Sequence, residues 1–151
     1  MIGATPPALR FVFTITALVS DASDFIPLED RSGEQLDFIP ITGGSVEGEI
    51  SGDIIPGGGD WCVTRSDEAY NVEARYLFRT AEGEVVDVVN VGVLRHLTDS
   101  DNSQVDMGYF LTTPRFRTTS PRLQWLTRSV FVGRAQSLPS KTVIDVYEVL
   151  Q

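Results

Sequence analysis

Ile39-Pro-Ile-Thr-Gly-Gly-Ser-Val-Glu-Gly-Glu-Ile-Ser-Gly-Asp-Ile-Ile-Pro-Gly-Gly-Gly-Asp-Trp61 holds seven of the thirteen glycines in the chain. Gly44, Gly48 and Gly52 recur every four residues. On an extended strand over Gly44 to Ile54 they would share one face, alternating there with Val46, Ile50 and Ile54. Glycine weakens a strand and marks a sharp bend or the close approach of another backbone, so its regular use predicts a strongly curled, barrel-like strand. Pro56-Gly57-Gly58-Gly59 reads as the turn that ends it, delivering Asp60 and Trp61 to one place.

Outward from this stretch the sequence continues to read as β. Leu9 to Val19 alternates Phe11, Phe13, Ile15 and Ala17 against Val12, Thr14, Thr16 and Leu18, a β-branched and aromatic pattern. Asn71 to Thr80 sets Val72, Ala74, Tyr76 and Phe78 on one face against Glu73, Arg75, Leu77 and Arg79 on the other. Ala81-Glu-Gly-Glu84 then turns the chain into Val85 to Leu94, where Asn90 is a polar break. Tyr109-Phe-Leu-Thr-Thr reads as a further strand that Pro114 ends or marks as an edge, Ser120-Pro121 as the start of a short helical turn or tight loop, and Leu126 to Val132 and Thr142 to Leu150 as the closing strands. Residues 20–38 carry six carboxylates with Pro27 and Gly33, and read as a long acidic, lid-like loop whose Phe25, Ile26 and Leu28 could cap a cavity. Residues 97–107 read as a polar loop.

About eight short strands, glycine-rich turns and no convincing long helix predict an all-β chain of one domain. The expected form is a single closed antiparallel β-barrel with room for one small ligand.

Composition narrows the function. A formal charge of −9 and a pI near 4.4 argue against nucleic acid and anionic membrane surfaces as partners. Lys141 is the single lysine beside eleven arginines, several within apolar strand patterns where a guanidinium needs a carboxylate partner. Cys62 is the only cysteine and His96 the only histidine. That argues against a disulfide framework, a His-rich metal site and a Cys-His or Ser-His-Asp engine. Gly57-Gly58-Gly59 lacks the lysine and following helix of a phosphate loop, and no cofactor is expected. Without a run of some eighteen apolar residues or a cleavable leader, the expectation is a soluble, cytoplasmic protein.

The combination Ile39-Pro-Ile-Thr-Gly-Gly, Gly48, Gly52, Pro56-Gly57-Gly58, Asp60-Trp61, Ala74-Arg75-Tyr76, Glu82-Gly83, Asn90-Val-Gly92, Tyr109-Phe110, Thr113-Pro114-Arg-Phe116, Trp125-Leu126 and Phe131-Val-Gly133 resembles the DUF3237 family, also called UPF0311, over about residues 9 to 150. The resemblance implies a calycin-like or allene-oxide-cyclase-like barrel. By analogy of fold, it also implies an interior that binds a small, mostly apolar molecule and steers an isomerisation, cyclisation or addition or elimination of water.

Residue types and strand phase give one leading constellation. Asp60, Glu73, Arg75 and Asn90 are the candidate catalytic residues, and Trp61, Tyr109, Phe116 and Trp125 the candidate substrate-binding walls. Two carboxylates near an arginine in an apolar barrel can have their pKa values pushed apart, one accepting and one donating a proton. Arg75 and Asn90 would orient a carbonyl and stabilise enolate charge. If Val72, Ala74 and Tyr76 face inward, Glu73 and Arg75 instead form an external ion pair. The leading function is a cofactor-independent cyclase, isomerase or hydro-lyase of secondary metabolism, acting on a polyketide- or enone-like molecule. A non-catalytic binding barrel and a structural or partner-binding domain are the alternatives, and a homodimer through flat outer faces is the expected assembly.

Overall fold

Every strand among the described residues joins one antiparallel sheet, and the sheet closes on itself. In a computed structural model, which describes residues 3–97 and 108–151, the strands are β1 (Ala8–Val19), β2 (Ile26–Arg31), β3 (Glu34–Gly48), β4 (Gly52–Thr64), β5 (Tyr70–Thr80), β6 (Val85–Arg95), β7 (Tyr109–Arg117), β8 (Phe131–Leu138) and β9 (Lys141–Leu150). Neighbours run β1-β9-β8-β7-β6-β5-β4-β3-β2, and an additional β1–β3 ladder shuts the ring. The result is an eight-stranded antiparallel barrel with β2 as an extra strand on β3. Among the described residues no helix is long and apolar enough to cross a membrane.

The glycine stretch is the closing device, although it folds differently from the sequence reading. Gly44 to Ile54 is no single strand: β3 ends at Gly48, the chain reverses over Glu49 to Ser51, and β4 starts at Gly52. Pro56-Gly57-Gly58 is no terminal turn either. It is a bulge inside β4, between the Ile55–Leu77 and Gly59–Arg75 pairs, after which β4 runs on through Asp60 and Trp61 to Thr64. The expectation of close backbone approach holds. A Cβ on Gly44 would strike the Thr16 carbonyl, one on Gly48 the backbone of Val12 and Phe13, and one on Gly52 the backbone of Arg79 and Thr80. Gly44 also has a φ of +136°.

Three further sequence expectations are corrected, and at Pro114 one of two alternatives holds. The acidic loop over 20–38 is mostly sheet: β2 pairs with β3 through a tight turn in which Gly33 takes a φ of +86°. Every β2 side chain is exposed, so Ile26 and Leu28 cap nothing. Of the two readings of Pro114 the second holds: it does not end β7, which continues to Arg117, but marks an edge. The pairing of β7 with β8 covers only Leu111 and Thr112, so at Pro114 β7 is in effect an edge that tolerates a missing N–H. The strand expected from Leu126 begins only at Phe131, because Pro121–Thr127 forms a 3-10 turn. In β1, a register shift between Phe11 and Phe13 breaks the alternation and leaves Phe11 49% exposed and Val12 buried. Of the polar loop expected at 97–107, residues 98–107 lie outside the described residues.

Phe13, Phe78, Phe116 and Phe131 fill the end of the barrel below the 3-10 turn, with Phe116 centred 5.7 Å from Phe13 and 5.1 Å from Phe131 in edge contacts. Leu123 and Leu126 seal it. The turn is pinned by Arg122 and Ser120, both bonded to Glu84, and these partners hold the Glu84 carboxyl down at about 2. That end is therefore packed solid, and a lumen cavity lies toward the other.

Gly44→Ala is expected to destabilise the fold by roughly 3 kcal/mol, the upper range for overpacking, because its collision is with backbone on a ring-closing ladder. Urea unfolding checks this, with Gly57→Ala, whose added Cβ meets nothing within 4 Å, as the comparison that isolates strain at positive φ.

Candidate functional site

Directly paired residues in antiparallel strands share a face. Asp60 pairs with Ala74, Ala74 with Asn90, and Asn90 with Pro114, so these four form one row across β4, β5, β6 and β7. Tyr76 lies two residues along from Ala74 on the same face. Val72, Tyr76, Phe78 and Asn90 are buried while Glu73, Arg75, Leu77 and Arg79 are exposed, which places the row inside. Ala74, short and central, leaves a gap between its neighbours. There lies a cavity of about 40 Å³ lined by Asp60, Tyr76, Asn90, Thr112 and Thr142 among apolar walls from Ile41, Phe110 and Ile144.

This cavity gathers polar atoms with unused bonding capacity. Tyr76 Oη, Asn90 Oδ1 and Thr112 Oγ1 are buried and without hydrogen-bond partners among the described residues, and their side chains are 3%, 5% and 3% exposed. Unpaired buried polar groups are costly, and a native fold that keeps three around one cavity has them available to a ligand. Space for Thr112 is made by Gly92 and Gly133, whose Cβ positions would run into its side chain. Asp60 Oδ1 accepts the Glu73 N–H at 2.9 Å.

Asp60 is the single ionisable carboxylate lining this cavity. Burial pushes its carboxyl up to about 6; the Glu73 N–H opposes the rise, and the Glu73 charge adds slightly to it. Burial likewise pushes the Tyr76 phenol up, so it stays protonated at neutral pH. Cys62, on the same face as Asp60, is pushed up to about 12 by burial and then by the charges of Asp60 and Asp37, and is not a nucleophile.

The structure divides the sequence-derived constellation. Asp60 and Asn90 meet in the lumen. Glu73 and Arg75 do not join them: they lie on the outer face of β5, where Arg75 pairs with Asp87 at 3.4 Å, because alternation turns both outward once Val72, Ala74 and Tyr76 turn in. Trp61 stacks on Phe38 outside, at 5.0 Å between centroids, and Tyr109 lies outside under the Arg95 guanidinium, 4.0 Å from its ring. Both line a larger outer groove of about 1150 Å³, with Leu9, Val91, Leu111 and Tyr147. Phe116 is inside, but as part of the solid end. Trp125 packs on Phe131 at that end, with Arg10 5.7 Å from its ring centre, and lines neither the lumen cavity nor the outer groove. Tyr76 and Thr112 were missed. Their signal was present: each is a hydrogen-bonding residue on the apolar side of an alternating strand.

A family model described as a protein of unknown function, DUF3237, matches residues 7–149. The chain belongs to the DUF3237 family. It is 41% identical over 149 residues to a UPF0311 protein of Rhodopseudomonas palustris, covering 93% of this chain and 95% of that one. A β-barrel-like protein from Acinetobacter baumannii, 25% identical, superposes with a TM-score of 0.88 over 99% of each chain. An enzyme from Penicillium herquei, 19% identical, reaches a TM-score of 0.77 over 99% of this chain and 98% of that one, a likeness of fold alone. The closed barrel of this chain is thus a fold that these solved proteins share.

The raised Asp60 carboxyl ties stability to pH. The unfolded group ionises near 3.8 and the folded one near 6. Below pH 4 both states are protonated and burial costs little. As pH rises through 4 to 6, the unfolded state gains by ionising first, so stability falls by roughly 3 kcal/mol and then levels off. Denaturation at a series of pH values is expected to show this decline in the wild type and its absence in Asp60→Asn.

Proposed function

We propose that the barrel is a cofactor-independent acid–base catalyst, with Asp60 as the group that takes and returns the proton. The reaction class is cyclisation, isomerisation, or addition or elimination of water, on a small and largely apolar metabolite. The observation carrying this reading is a lone carboxyl, raised to about 6, on a cavity whose remaining polar atoms lack partners. A base poised near neutrality combines ionisation at working pH with appreciable proton affinity.

At pH 7 Asp60 is mostly ionised and can remove a proton from a substrate hydroxyl or from carbon next to a carbonyl. The charge left on oxygen would be met by the protonated Tyr76 phenol and the Thr112 hydroxyl, dipoles fixed by burial before substrate arrives. Asp60, now protonated, returns the proton at the end of the rearranged bond system, so no external acid, base or oxidant is consumed. Asn90, in the Asp60 row, orients the substrate. Glu73 and Arg75 have no part in the chemistry, though the Glu73 N–H fixes the Asp60 carboxylate.

The test is turnover of a metabolite extract followed by mass spectrometry. Asp60→Asn is expected to lower the rate by about a thousandfold and Tyr76→Phe by about tenfold to a hundredfold, with Glu73→Gln and Arg75→Ala within a few-fold of wild type. The wild-type rate is expected to rise with pH through about 6. An Asp60→Asn protein of full activity would contradict the reading. A metabolite held unchanged by the wild type and Asp60→Asn alike would make the barrel a carrier.

A further inference from the structure

The lumen wall continues above the cavity. In the β3–β4 ladder Asp60 pairs with Ile39 and Cys62 with Asp37, so Asp37, Cys62 and Asp60 share the inward face. The charges of both aspartates reach the Cys62 thiol, which places the three together. Gln35 Nε2 donates to the two Asp37 oxygens at 3.2 and 3.1 Å, holding that carboxylate against the wall. Within the described strands, the positions facing this half of the barrel carry no lysine, arginine or histidine. The ion-paired arginines among the described residues lie elsewhere: Arg75 on the outer face of the barrel, Arg31 on exposed β2, Arg65 beyond the end of β4, and Arg10 and Arg122 near the solid end.

The bonding inventory adds a second constraint. Asp60, when ionised, and Asn90 Oδ1 accept only, while the hydroxyls of Tyr76 and Thr112 can each donate and accept. A carboxylate or phosphate brings acceptors alone. It would leave Asp60 and Asn90 Oδ1 unmatched and add like charge in a poorly solvated space. A hydroxyl brings one donor and an acceptor oxygen, so it can donate to Asp60 or Asn90 while accepting from Tyr76 or Thr112. At about 40 Å³ the cavity has room for such a group and not for a whole ring.

Resting on the acid–base reading above, we propose that the lumen selects an uncharged ligand by a hydroxyl group seated among Asp60, Tyr76, Asn90 and Thr112. In the same proposal, Asp37 is a specificity residue that turns carboxylates and phosphates away before they reach it. The bound hydroxyl is then the group placed against the base, so selection and proton removal use the same contact.

Three probes of one shape test this by isothermal titration at pH 7.5: 2-naphthol, 2-naphthoate and 2-methylnaphthalene. The wild type is expected to bind 2-naphthol at least tenfold more tightly than either other probe. Asp37→Asn, at a partly exposed position whose change leaves the core intact, is expected to narrow the naphthol-to-naphthoate ratio several-fold while leaving naphthol affinity within about twofold. Tyr76→Phe and Thr112→Val are expected to weaken naphthol and leave methylnaphthalene unchanged. Equal or tighter binding of 2-naphthoate, equal binding of methylnaphthalene, or no binding of any probe by the wild type overturns the proposal. Because these measurements contain no turnover, their outcome is separate from that of the activity test. Selectivity with an inactive protein leaves a hydroxyl-selective carrier. Activity lost in Asp60→Asn without selectivity leaves an enzyme for another substrate class.

Discussion

β1 can close the ring only by lying on β3 with no side chain between their backbones. Gly44 and Gly48 make that contact possible, and Gly52 does the same where β4 meets β5. The rest of the molecule follows from it. Tight coiling at these points gives a barrel of eight strands whose interior is filled at one end by phenylalanines and left with a small cavity at the other. Glycine costs conformational entropy on folding, and here that cost is offset by a sheet whose ladders run round the ring, thinning only between β7 and β8.

Closure also sets the electrostatics. Inside, Asp60 stands on the cavity without a basic partner, whereas on the outer face Arg75 meets Asp87, and near the solid end Arg10 meets Glu49 and Glu148 and Arg122 meets Glu82 and Glu84. The exposed pairs are worth little individually in water. Their consequence for the site is that no guanidinium among the described residues neutralises Asp60, so burial dominates its proton affinity. Tyr76, Asn90 and Thr112 extend the same principle to neutral groups: partners are withheld from them by the packing of Ala74, Gly92 and Gly133 around them.

Much of the fold was legible in the sequence. Alternation marked β1, β5, β6 and β9 to within a residue or so, and the spaced glycines announced close backbone approach. What misled was chain direction within Gly44 to Trp61. A four-residue glycine period is compatible both with one strand and with two strands joined by a short reversal, and Pro56-Gly57-Gly58 has the composition of a turn although it is a bulge. The site was half legible. Asp60 and Asn90 were singled out by type, yet Glu73 and Arg75 were grouped with them because charged residues attract functional readings. The alternation of Val72, Ala74, Tyr76 and Phe78 already favoured the opposite face as the inner one. Tyr76 and Thr112 were overlooked since each sits in an apolar series and looks like core until its hydroxyl is found unpaired. Which residues of different strands share a row depends on the registers across β4 to β7, and the bulge in β4 shifts the first of them.

The central claim is that Asp60 is a half-buried carboxyl on the lumen cavity whose proton affinity is set by its partial burial. Its titration can be read directly from the side-chain carboxyl ¹³C shift of labelled protein, assigned by the resonance lost in Asp60→Asn. The account predicts a midpoint near 6, well above the ordinary aspartate value. A midpoint at or below about 4, the range of a solvated or ion-paired carboxylate, would contradict it.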